Sequence, residues 1–134
     1  MKNVIRILFA LAIGLALTLP LKAGTYTNSG LTATKVLLVN NTGGGAIQFA
    51  YFNIANPNST LVYVQFFDAA TTGAVTLGTT APTCWVAVPA LGGVVDTSFV
   101  QGFVFKLGVV VAATTTPTGS TAPASNVPLI LLTK

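Results

Sequence analysis

The 134-residue chain has no histidine and no glutamate, holds one cysteine (Cys84), and only 6% of its residues are charged. Each shortage excludes a class of chemistry. A Ser or Cys nucleophile needs a base to take its proton, usually His, and none exists. Zinc is held by Cys, His and carboxylates, of which the chain offers Cys84, no His, and Asp68 and Asp96. Calcium takes several oxygen ligands with charge among them, which two carboxylates 28 residues apart do not supply. A lone cysteine forms no intramolecular disulfide, so stability must come from packing or assembly. A typical domain is about a quarter charged. A surface this neutral is wetted by Thr, Ser, Asn and backbone, or covered by neighbouring molecules.

The positive charge that is present lies mostly at the start. Lys2 and Arg6 precede the apolar run Ile7–Leu19, and Pro20-Leu21-Lys22-Ala23 leads to a small-residue cut before Gly24. Residues 1–24 therefore read as a secretory signal peptide or a hydrophobic N-terminal segment, with one domain over 25–134. The run is short for a membrane span, which needs roughly 20 apolar residues; left uncleaved, it is the chain's one route to a membrane. The net charge of +4 falls when Lys2, Arg6 and Lys22 leave, since Lys35, Lys106 and Lys134 against Asp68 and Asp96 give 3 − 2 = +1. Phosphate neutralisation takes clustered Lys and Arg, so no nucleic-acid partner is expected. The expected location is extracytoplasmic or secreted, or a virion if the segment is not a true signal.

What remains is rich in Thr, Val, Gly and Phe. Short β-branched and aromatic runs alternate with turn residues, the pattern of strands. Strands are expected at Lys35–Asn40, Ala46–Ala55, Thr60–Ala69, Gly73–Leu77, Thr83–Val88, Ser98–Lys106, Val109–Ala113 and Val127–Thr133. Residues 24–34 read as a loose lead-in or an edge segment, and 114–126 as a long surface loop or extended arm. No window after residue 24 carries a helical apolar stripe. About eight short strands at this spacing predict an all-β fold, a single antiparallel sandwich of jelly-roll type.

Two runs are apolar on both faces, since alternate strand residues point opposite ways. In Leu61–Asp68, Val62, Val64 and Phe66 oppose Leu61, Tyr63 and Phe67; in Ala46–Ile54, Ile47, Phe49 and Tyr51 oppose Ala50, Phe52 and Ile54. Such a strand is buried twice, by a covering loop or by another subunit. Tyr63, Val64, Phe66 and Phe67 are thus the candidate interface residues. Cys84 shares a face with Val86 and Val88 and reads as a small buried hydrophobe. Trp85 falls on the opposite face, in a second layer or exposed; exposed, it forms with Tyr51 or Tyr63 a stacking platform for sugar rings. Asp68 and Asp96 could pair as glycosidase carboxylates, but both follow strand-like runs at turns and read as turn caps. The NTGGGA run (41–46) lacks the lysine, spacing and helix of a phosphate loop and reads as a flexible hairpin. Asn40-Asn41-Thr42 and Asn58-Ser59-Thr60 match the glycosylation sequon. No catalytic, metal or cofactor site emerges.

The stretches YFNIANPNSTLVYVQFFDAATTGAVTLGTTAPT, VPALGG and FVQGFVFKLGVVVAATTTPTGSTAPAS, with the final hydrophobic strand, resemble small uncharacterised β-sandwich proteins of tailed bacteriophages and prophages. The resemblance covers half to two thirds of the chain and implies a virion or virion-associated component without catalytic residues. Two functions are therefore expected. One is a non-enzymatic structural protein working by self-association or by decorating a larger assembly. The other is a secreted module binding a polysaccharide or a cell-surface partner.

Overall fold

The computed structural model describes residues 23–96 and 103–134. The expected signal segment, as far as Lys22, lies outside the described residues, as does the first part of the strand expected at Ser98–Lys106.

Among the described residues nine strands form: β1 (Gly24–Leu31), β2 (Val36–Asn40), β3 (Ile47–Asn56), β4 (Val62–Asp68), β5 (Cys84–Val88), β6 (Gly92–Asp96), β7 (Val104–Phe105), β8 (Gly108–Thr114) and β9 (Val127–Thr133). They make two antiparallel sheets. The first has the order β1-β9-β3-β6, with β7 also pairing β3; the second has the order β2-β8-β4-β5. The connectivity is that of one long hairpin whose arms pair β1 with β9, β2 with β8, β3 with β6 and β7, and β4 with β5. Rolling that hairpin up adds the β3–β9 and β4–β8 ladders. Its closed end is the 69–83 loop, and its open end is the pair Gly24↔Thr133.

The inner faces of both sheets meet in one core. Phe49 and Phe52 from β3, Val64 and Phe66 from β4, Val109 and Val111 from β8, and Leu129 and Leu131 from β9 are all fully buried in it. Phe49 stacks on Phe105 at 4.7 Å and meets Phe66 edge-on at 5.2 Å, arrangements that add about 0.5–1.5 kcal/mol each beyond area burial. At Gly108 the backbone φ of +155° and the carbonyl oxygens of Val39 and Ala69, which would lie 2.7 and 2.8 Å from an added Cβ, leave room only for glycine.

Several expectations are corrected. The doubly apolar β3 is a one-faced strand with a register shift between Phe49 and Tyr51. A bulge flips the alternation, so Ile47 and Phe49 share the inner side with Phe52 and Ile54 while Tyr51 turns outward. Gly73–Leu77 is no strand; a short 3₁₀ turn over Thr72–Ala74 replaces it. No strand is expected at Gly92–Asp96, where a turn at 89–93 leads into a strand-like run ending at Asp96; the structure makes it β6. Of the two readings of residues 24–34, the edge segment holds and the loose lead-in does not, since Gly24–Leu31 is the edge strand β1. NTGGGA joins strands of different sheets rather than closing a hairpin, with Gly44 at φ +73° and Asn41 Nδ2 donating to the carbonyls of Gly45 and Lys106.

Candidate functional site

The two outer faces differ. Over the second sheet the chain supplies its own third layer, and every residue of β8 is buried. Phe67, Ala69, Val75 and Val110 form a small second core beneath the 69–83 loop, with Leu37 and Leu77 against it. The Lys35 ammonium donates to the Val75 carbonyl and holds that loop down. Beside it, buried Gln65 donates through Nε2 to Thr114 Oγ1 at 2.7 Å and to the carbonyls of Thr116 and Gly119 at 3.2 and 3.1 Å, pinning the 115–126 segment.

This layer decides the fate of the expected interface. Val64 and Phe66 point into the main core, and Phe67 is capped by the 69–83 loop. None of the three is presented by a single copy, because intramolecular cover satisfies the apolar faces. Tyr63 alone stays half-exposed, with the Trp85 indole edge-on at 5.5 Å and 76°. Trp85 is 44% exposed, and the pair forms a small aromatic corner. Tyr51 cannot join it, since β3 belongs to the other sheet.

The remaining candidates are structural. Asp68 Oδ1 accepts the N–H groups of Lys106 and Leu107 at 2.9 and 2.7 Å and of Gly108 at 3.4 Å. It caps the turn between β7 and β8, a distant turn rather than its own. Asp96 ends β6 in the opposite sheet. Cys84 is buried, and burial pushes its pKa up to about 12, the opposite of what a nucleophile needs. No group of three or more His, Cys, Asp or Glu that could hold a metal occurs among the described residues. The Asn58 sequon is closed to a glycan. Its Nδ2 donates to Asn56 Oδ1 and to the Ser125 carbonyl, and its Oδ1 accepts the Ser125 N–H. Asn56 Nδ2 in turn donates to the carbonyls of Thr60, Val88 and Pro89 at 2.9, 3.0 and 3.0 Å. Together the two asparagines clasp three connections at one end of the sandwich.

Among the described residues nothing comparable lies over the first sheet. The ladders set Thr27, Ile130, Asn53 and Val95 in one row across the four strands, and Pro128 lies beyond, level with Ala55 and Gly93. Ile130 is 41% and Val95 62% exposed. Two shallow hollows share Ala55 and Pro128: one of about 420 Å³ reaches Pro57, Leu91 and Gly92, the other of about 180 Å³ reaches Asn53 and Ile130. At the rim stands Leu91, 76% exposed and at φ +52°. Sequence reasoning missed this face, although the run Pro128–Leu132 is as apolar on both sides as β4. Comparison with protein-family models, curated proteins and solved structures finds no match to this chain.

Proposed function

We propose that this chain is a non-enzymatic structural protein, a jelly-roll module that works by joining an assembly, as a virion-associated or surface-decorating component. The strand orders β1-β9-β3-β6 and β2-β8-β4-β5 support the jelly-roll reading, because a hairpin folded over into two facing sheets is how such a roll arises. Jelly rolls serve in capsids and in lectins, so the fold supplies analogy and the surface must supply the argument. The observation that carries the reading is the bare outer face of the first sheet, apolar at Ile130, Val95 and Pro128 and free of Lys, Arg, Asp and Glu across its central rows. Exposed apolar patches of this kind mark contact sites. The test is the molar mass of the full chain by size-exclusion chromatography with light scattering over a hundredfold concentration range. A mass rising to a defined multiple is expected; a constant monomer mass contradicts self-association.

A second reading, a secreted module for a polysaccharide or cell-surface partner, rests on the exposed Tyr63–Trp85 corner. It predicts that Trp85→Ala abolishes any binding found on a glycan array.

A further inference from the structure

The geometry points to the outer face of the first sheet as the contact through which two copies of this chain meet face to face, a specification that rests on the assembly reading above. Four features converge on a second copy as the occupant.

First, cover is asymmetric. In the second sheet residues 69–83 and 115–126 roof the central strands β8 and β4 and leave exposed positions only on the edge strands β2 and β5, whereas in the first sheet buried and exposed residues alternate along the central β9 and half-buried and exposed ones along β6. Second, the face suits its own image. In a two-fold contact each residue meets itself or a near neighbour, so a central charge would face its like. Thr27, Ile130, Asn53 and Val95 offer none. Third, knobs and hollows occur together, since the exposed Leu91 and Val95 flank the depressions at Ala55 and Pro128. Fourth, Leu91 occupies the left-handed region, which a bulky residue adopts only at a cost, while exposing most of its side chain to water. The Leu91 N–H to the Asn58 carbonyl, 2.9 Å, holds it there. Glycine would relieve both penalties in the monomer. A leucine there is accounted for when the side chain is buried by a partner.

The size is adequate for a reversible dimer. Four strands at about 4.8 Å spacing and roughly seven residues at about 3.3 Å give about 400 Å² in projection. A standard interface takes about 800 Å² of accessible surface from each partner, so this face, about half of that in projection, fits a weak, concentration-dependent dimer and not an obligate one.

The experiment is sedimentation velocity on the full chain and three full-length variants, each with its thermal midpoint. Leu91→Gly is expected to raise the midpoint or leave it unchanged while weakening the dimer at least tenfold. Ile130→Glu should disperse the dimer with the fold intact. Trp85→Glu, on the opposite sheet, should leave it assembled. Loss of association with Trp85→Glu but not with Leu91→Gly or Ile130→Glu overturns this surface while leaving the assembly reading in place. Association unaffected by all three overturns it as well and assigns self-assembly to the apolar run Ile7–Leu19. A wild type that is monomeric throughout overturns the second copy as occupant and, with it, self-association.

Discussion

Cys84 faces the core from β5, and burial sets its thiol apart from that of an unfolded chain. Its pKa rises from 9.0 to about 12. The folded value lies above the unfolded one, so the stability this group contributes is complete below pH 9. It is lost as pH climbs toward 12, because the unfolded chain ionises first. The urea midpoint should therefore hold between about pH 6 and 8.5 and decline above about pH 9, and Cys84→Ala should decline less steeply. Maleimide at neutral pH should label the thiol only once urea unfolds the chain. Asp68 shows a different use of a rare group. Its carboxylate serves three backbone N–H groups from Lys106 to Gly108, a charge-assisted cap of the kind roughly twice as strong as a neutral one.

Among the elements, β8 shows how a strand of Val and Ala can be buried on both sides without a second subunit. Its outer residues lie beneath two loops, one pinned by Lys35 and the other by Gln65 together with the Asn58 clasp on Ser125. Gln65→Leu removes the donor shared by Thr114, Thr116 and Gly119. The expected loss is about 1–3 kcal/mol in urea unfolding, with cleavage in 115–126 by proteinase K accelerated while the sheets remain. Proteolysis unchanged from wild type would mean that the segment is held by other contacts. The strands were legible where β-branched runs end in Gly, Pro or Asn, as at β2, β4, β5, β8 and β9. They were illegible where the backbone departs from strict alternation. The bulge at Phe49/Tyr51 made a one-faced strand look two-faced, and Gly92-Gly93 hid β6 inside an apparent turn. Val64, Phe66 and Phe67 are covered within one copy, and for Phe67 the reason is long-range: whether it meets solvent depends on the path of residues 69–83, which local pattern does not encode. The bare face was readable in part, since Pro128–Leu132 carries apolar residues at both parities, but Leu91 declares itself only through its φ.

For the molecule as a whole, scarcity of charge makes the hydrophobic term dominant in folding and association alike. Screening by salt acts on charges, and the proposed contact surface has none at its centre. The dimer dissociation constant should therefore change less than threefold between about 0.05 and 1 M sodium chloride, measured by sedimentation velocity. A steep salt dependence would instead implicate Lys35, Lys106 or Lys134.

The rolled hairpin also fixes how the molecule bears load. Gly24 and Thr133 are paired neighbours on antiparallel strands, and ladder bonds run perpendicular to the strands. Tension applied between these two residues peels β1 from β9 one bond at a time, the geometry of a zip. Tension transmitted across the sheet face loads many bonds together. A sandwich of this topology is mechanically weak when pulled between Gly24 and Thr133 and stronger when held by its flank, as the proposed contact through the first sheet would hold it.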